Sequence, residues 1–338
     1  MTKVRSIVVG TGGFARYHIR AMMDMKRTTC IAGFVEPAEA SRTATAALFS
    51  EKGITSPPFY TTVGELIKTQ GAADAAVICS PHKFHFENAK ACLQSGMDVL
   101  IEKPMVMNGA EAQRLIELRD KTERLVMVAF PGSLSPAIWK AKQLLAKGAI
   151  GEVSAISAFV QQNWKAATVG TWRQIPEISG GGFLFDTGSH MVNTVVDLLG
   201  ADVACVSALL DNRKTPVEIN SSVSGLSTNG VMFSLAGAGD SVQCCSQVLV
   251  FGDGGVLKTG IWGEYLFTKT GSEAEFKPVP YCKSRGPWEQ FLRVRSGKMR
   301  NPCPPETGLR FANLMDMIRR SAKTGRTIAS SVRAQPRR

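Results

Sequence analysis

The chain has 338 residues, with 40 Lys/Arg against 28 Asp/Glu, a formal charge of +12 and 44% hydrophobic content. That length exceeds one average core, so two domains are expected of a globular chain. The longest apolar runs, about six residues, are far short of a membrane-spanning helix.

The opening MTKVRSIVVG has no apolar leader and no small-residue cleavage site, so a cytoplasmic location is expected. Over the first 130 residues, apolar runs at 6–10, 30–36, 75–80, 98–103 and 125–130 alternate with helix-period stretches at 13–25, 38–51, 63–69, 83–95 and 109–121. Strands alternating with helices of this length predict βαβ units, and so an α/β doubly wound parallel sheet of Rossmann type. The pattern changes at Pro131. A helix over 135–147 stops at Gly148. Longer strand patterns then follow at 152–162, 203–211, 221–235, 241–251, 255–260 and 264–270, with FGDGGVL marking a tight hairpin. Helices are predicted at 185–199 and 306–323. The second domain is thus expected to be α+β with a large, mostly antiparallel sheet. The boundaries are 1–130 for a dinucleotide-binding domain and 131–338 for a substrate-binding and oligomerisation domain.

The eight cysteines, at 30, 79, 92, 205, 244, 245, 282 and 303, show no paired metal-ligand spacing, so reduced thiols and no metal are expected. Charge is uneven. From residue 282 onward stand 14 Lys/Arg against 3 Asp/Glu. Without zinc-finger spacing or an RNA-binding aromatic motif, this reads as a solvated helix face and the tail SVRAQPRR, and a nucleic-acid partner is not expected.

Chemistry concentrates in three places. Gly10, Gly12, Gly13 and Ala15, with Phe14 among them, fit G-x-G-x-x-G/A between a strand and a helix. Gly10 permits the turn, Gly12 leaves room for a pyrophosphate, and Ala15 lets the helix pack close to the sheet. Glu36 ends the next strand, 21 residues after Ala15, where a carboxylate holds ribose hydroxyls and repels a 2′-phosphate. NAD is therefore expected in preference to NADP, with nearby Arg42 moderating that preference. Two further strand ends face the same crevice. Ser80, Pro81, His82 and His85 stand on one side, and Glu102, Lys103 and Pro104 on the other, flanking a nicotinamide. The Lys103 ammonium can polarise a substrate oxygen there. Finally, Asp186, His190, Asn193 and Asp197 recur at i, i+4, i+7 and i+11 among apolar residues, a narrow polar stripe suited to proton transfer by His190.

Taken in order, the glycine loop, SPHKFH (80–85), EKP (102–104), GAIGEV (148–153), WR (172–173), GGGFLFDTGSH (180–190), FGDGGVL (251–257) and RRSAKTGR (319–326) resemble the glucose–fructose oxidoreductase, inositol dehydrogenase and MocA family. The resemblance runs through nearly the whole chain. It implies a Rossmann domain followed by a sheet domain whose outer face builds a homodimer or homotetramer. It implies catalytic roles for Lys103, Asp186 and His190, with the histidine transferring the proton. Trp172 and Arg173 match a pair near the nicotinamide in some relatives, and Asn193, Lys103 and His190 are the expected substrate contacts. The sequence departs from the family twice. Asn193 replaces a frequent aspartate, which removes a possible base. FPGSLSP (130–136) replaces a polar cluster, which points to a different substrate. The expected activity is interconversion of a secondary alcohol and a ketone on a sugar, polyol or inositol. Competing readings are a cofactor-binding sensor and a hydrolase using bound NAD in a transient oxidation. The intact Lys103, Asp186 and His190 argue against the sensor. The hydrolase would show no net change in NADH absorbance.

Overall fold

The computed structural model of the chain describes residues 3–271 and 273–330. They fall into two units: Met1–Ala129 with Gly286–Gly308, and Phe130–Arg285 with Leu309–Arg338. The basic tail 331–338 lies outside the described residues.

The first unit holds strands β1 (Val4–Val9), β2 (Thr29–Val35), β3 (Phe59–Tyr60), β4 (Ala75–Ile78), β5 (Asp98–Ile101) and β6 (Val126–Val128). Their order is β3-β2-β1-β4-β5-β6, and every pairing is parallel. The central strands are buried on both faces, as helix-covered parallel strands must be. Helices α1 (Gly13–Asp24), α2 (Glu39–Ser50), α3 (Val63–Gln70), α4 (His85–Gln94) and α5 (Gly109–Thr122) make the crossovers. The strand order reverses between β1 and β4, and in such sheets the crevice at the reversal is where ligands bind.

The boundary expected at 130/131 sends all later residues to the second domain, and for 286–308 the structure differs. A helix over Pro287–Arg295, not among the elements expected above, starts with Pro287 after Gly286. It buries Trp288 and Phe291, stacked at 5.2 Å, and Trp288 Nε1 donates to Thr29 Oγ1 (2.8 Å). Asn301 Nδ2 donates to Val126 O (2.9 Å) and Val128 N to Cys303 O (2.8 Å), which covers the edge of β6.

The second unit is built on nine strands: β7 (Val153–Gln161), β8 (Val203–Asp211), β9 (Asn220–Ser227), β10 (Met232–Ala238), β11 (Cys245–Gly252), β12 (Gly255–Thr259), β13 (Leu266–Thr270), β14 (Lys277–Pro278) and β15 (Ile328–Ala329). Their order is β14-β13-β12-β11-β7-β10-β9-β8-β15, antiparallel except for β7 beside β10. The strand expected over 221–235 is two strands, because Asn229-Gly230 makes a turn, with Gly230 at φ +79°. The Asp253-Gly254 hairpin forms as expected between β11 and β12. The sheet's inner face buries Ile156, Val160, Val223, Leu235, Val248 and Val250.

Candidate functional site

In the first unit the chain leaves β1 through Gly10 at φ +82°. A Cβ there would lie 2.5 Å from Ser80 N and 2.7 Å from Cys79 C, so two backbones touch at this point and only glycine fits. At Gly12 the reverse holds: an added Cβ meets nothing within 4 Å. The chain itself does not need a glycine there, but a ligand approaching the backbone at the start of α1 does. The α1 N-terminus opens with no acidic residue in its first turn and no side-chain cap, leaving its N–H groups and positive dipole end for an anion. Ala15 is buried and Phe14 is 54% exposed. These residues fit a dinucleotide pyrophosphate.

Glu36 is only 8% exposed. Its Oε2 accepts from Thr11 N (2.8 Å) and its Oε1 from Ala38 N (2.9 Å), which ties the end of β2 to the glycine loop. Arg42 Nε donates to the Glu36 carbonyl (2.6 Å). A fixed carboxylate and a guanidinium therefore stand together at the expected ribose position.

At the other strand ends, several residues expected to touch a nicotinamide turn inward. His85 is 1% exposed, with Nδ1 2.9 Å from Pro104 O and Nε2 2.7 Å from Ser80 O. Burial lowers its pKa below the ordinary histidine value despite both carbonyls and Glu102. With its ring nitrogens on backbone carbonyls, His85 joins the loops after β4 and β5 instead of presenting itself to a ligand. Glu102 does likewise: Oε1 lies 2.7 Å from His18 Nε2, and Oε2 accepts from Lys103 N (3.2 Å). His82 is buried beside His85. Ser80 Oγ accepts from Asn88 Nδ2 (3.1 Å), and Pro81 opens the short turn over His82–Phe84. Lys103, before a cis Pro104, is half-buried on this framework. His18 is a framework residue the sequence reading missed, since nothing local pairs positions 18 and 102.

In the second unit the helix expected over 185–199 is two helices, Phe183–Asp186 and Gly188–Leu199, meeting at Thr187. Gly182 is required at its start, because a Cβ there would fall 1.9 Å from Glu218 O. Glu218 O accepts from Phe183 N (2.8 Å), and its half-buried carboxylate from Phe185 N (3.3 Å). Burial raises its pKa above the usual carboxylate value. Arg319 donates to Gly180 O (2.8 Å) and lies over the Phe185 ring, clamping the same turn.

This scaffold presents Asp186, whose Oδ2 accepts from Trp164 Nε1 (2.9 Å) and from Arg173 Nε (2.9 Å). Arg173 in turn stacks on Trp172 at 4.6 Å. Asp186, Trp172 and Arg173 are thus brought together as one unit. His190 is half-buried, its ring 6.5 Å from Phe130 and 5.8 Å from Trp262. Asn193, expected at the substrate, is fully buried, and its Nδ2 donates to Ser133 Oγ (2.8 Å). Ser133 donates to Asp197 (2.5 Å), which also pairs with Arg310 (3.1 Å). The polar stripe therefore divides: Asp186 and His190 lie at one end, while Asn193 and Asp197 are structural, stitching the FPGSLSP segment to the helix. Trp164 and Trp262 were missed by the sequence reading. Trp262, flanked by glycine in GIWGE, carried the one usable signal.

Two family models match the chain: the oxidoreductase family with NAD-binding Rossmann fold over residues 4–130, and the GFO/IDH/MocA C-terminal domain over 138–258. Oxidoreductase P35 of Formosa agariphila is 26% identical over 266 residues, covering 77% of this chain and 82% of that protein. The NADP-linked D-xylose 1-dehydrogenase of Haloarcula marismortui is 27% identical over 196 residues, covering 55% of this chain and 53% of that one. The solved structure of the WlbA dehydrogenase from Bordetella pertussis, complexed with NADH and UDP-GlcNAcA, superposes with a TM-score of 0.81 at 20% identity, covering 98% and 100% of the two chains. The two models match this chain in sequence order, one over the parallel-sheet unit and one over most of the nine-stranded unit, and the chain belongs to the Gfo/Idh/MocA family of oxidoreductases.

Proposed function

We propose that the protein is an NAD-dependent dehydrogenase that interconverts a secondary alcohol and a ketone on a sugar, polyol or inositol-like substrate. The observation carrying this reading is the Asp186–His190 pair on its built support: a carboxylate held by two N–H donors, followed by a half-buried imidazole on the next helix. Such a pair suits the removal of a hydroxyl proton. Similarity to a xylose dehydrogenase adds to it. The dinucleotide would supply hydride acceptance, and the chain's residues supply position and charge. Gly10, Gly12, Gly13, Phe14 and Ala15 hold the pyrophosphate end, and Glu36 the ribose. His190 takes the proton, Asp186 supports its charge, and Lys103 polarises the substrate oxygen. The outer face of the second sheet exposes Leu209 (74%) and Met232 (61%), which favours burial against a second copy in a homo-oligomer.

The test follows absorbance at the NADH band while inositols, aldoses, sugar acids and sugar phosphates are offered with NAD or NADP. A signal stronger with NAD is expected for at least one substrate. Lys103→Met and His190→Ala should each keep NADH binding and lose about 10²–10⁴-fold in turnover. Full turnover in both variants would remove the assignment.

A further inference from the structure

Trp262 lies on the loop Gly260–Glu264, which joins β12 and β13. This connection is fixed from three sides. Thr194 Oγ1, on the His190 helix, donates to Ile261 O (2.7 Å). Ser135 Oγ donates to Gly263 O (2.8 Å), and Ile261 N donates to Ser246 Oγ (3.3 Å). Within the loop, Gly263 at φ +68° closes a turn onto Gly260 O (3.1 Å), and Trp262 N donates to the Glu264 carboxylate (3.1 Å). Ile261 is fully buried, so the loop is anchored while the next side chain is held outward.

The held side chain is a half-buried indole, 5.8 Å from the His190 ring and inclined to it by 55°. The indole N–H groups of Trp139, Trp164 and Trp288 each donate to a protein oxygen. That of Trp262 has no protein acceptor among the described residues. A large apolar face and a donor, both preorganised beside a proton-transfer residue, are a recognition surface: indoles combine apolar area with a polar edge and cost little to order.

We propose that Trp262 is a specificity-determining residue that stacks against the C–H face of a ring-form carbohydrate, a pyranose or a cyclitol, while its N–H donates to a ring substituent. A closed ring offers several C–H groups on one fixed face. An open-chain polyol must freeze its rotors to present the same surface, and so gains less from a rigid wall. The inference rests on the reading of His190 given above and narrows its substrate class to rings.

The test compares wild type with Trp262→Leu and Trp262→Phe on two probe sets: myo-inositol, D-xylose and methyl α-D-glucopyranoside as rings, and sorbitol and xylitol as open chains. Trp262→Leu should raise KM for ring substrates by about tenfold or more, with kcat changed less than about threefold. Trp262→Phe should recover most of the loss, and NADH affinity and melting temperature should match wild type. Equal KM in wild type and the Leu variant, or an equal penalty on rings and chains, overturns the proposal. Binding of the same probes is also followed by indole fluorescence and saturation-transfer NMR without turnover. If neither these probes nor the sugar acids and sugar phosphates of the wider panel are oxidised, the dehydrogenase reading fails. The binding arm still decides Trp262: ring binding that weakens in the Leu variant supports it, and no ring binding, or binding that does not weaken, overturns it.

Discussion

Gly10 and Gly12, two positions apart in one loop, have opposite reasons to be glycine. Gly10 carries a positive φ and faces the Ser80 backbone at 2.5 Å, so Gly10→Ala should destabilise the fold by about 2 kcal/mol or more. Gly12 faces open space, so Gly12→Ala should cost less than ~1 kcal/mol. It should nonetheless weaken NADH binding at least about tenfold, because its methyl group occupies the space a pyrophosphate would take. Thermal melts paired with NADH fluorescence titrations separate the two, and a Gly12→Ala protein that binds NADH normally would refute the cradle. Glu36→Gln keeps one acceptor oxygen, enough for the Thr11 amide but not for the Ala38 amide as well, and removes the charge, which should shift the NADP-to-NAD affinity ratio upward by at least about tenfold, with Arg42 left to attract the phosphate. Equal ratios in the two proteins would remove Glu36 from cofactor selection. These positions were legible because their meaning is local: a glycine spacing after a strand, an acid at the next strand's end. His85 and Asn193 looked the same in sequence, as polar residues at the right places. Whether such a side chain points at a ligand or closes on Pro104 and Ser80, or on Ser133, depends on residues up to 60 positions away.

At the scale of elements, the turn before Phe183–Asp186 is held by a carboxylate that burial disfavours. Glu218 is raised above the usual value near 4.5, so the unfolded chain gives up this proton at lower pH than the folded one. The folded state therefore binds more protons in that interval, and stability present below pH ~4.5 is lost as pH rises through the raised value. Glu218→Gln retains an oxygen for the Phe185 amide without the charge. Its melting temperature should exceed that of wild type at pH 8, and the gap should close towards pH 4. A gap that does not vary with pH would show that the charge is not what strains this turn. The surrounding elements were partly legible. Periodicity found the apolar face of the Gly188–Leu199 helix, but not the break at Thr187, because 186–190 keep nearly helical spacing across it. The strand pattern over 221–235 ran through Asn229-Gly230 because both flanking strands alternate in the same way, and a turn dipeptide was the sole mark between them.

For the whole molecule, chain order and unit membership part company at residue 286. Alternation of strands and helices in the first 130 residues announced a parallel sheet, but nothing local announces that 286–308 return to it. The return also absorbs part of the basic excess, since Arg295 pairs with Asp98 at 2.8 Å; further along, Arg310 pairs with Asp197 at 3.1 Å. What the return supplies is physical closure. β6 is the last strand of its sheet, and an uncovered edge strand invites association. Val128 N and Val126 O find their partners in Cys303 and Asn301, and Trp288 fills an apolar site capped by Thr29. A fragment ending at Ala129 has none of these. It should expose apolar surface, bind a hydrophobic dye, melt without a cooperative transition and fail to bind NADH, although it contains every residue of the glycine loop. In the full chain, Trp288→Ala should destabilise the first unit by about 3–5 kcal/mol through the cavity it opens. Hydrogen exchange at the Val128 amide should accelerate accordingly. If the 1–129 fragment instead melts cooperatively and binds NADH like the full chain, the returning segment is an ornament on a self-sufficient domain, and the boundary drawn from sequence was the physically meaningful one.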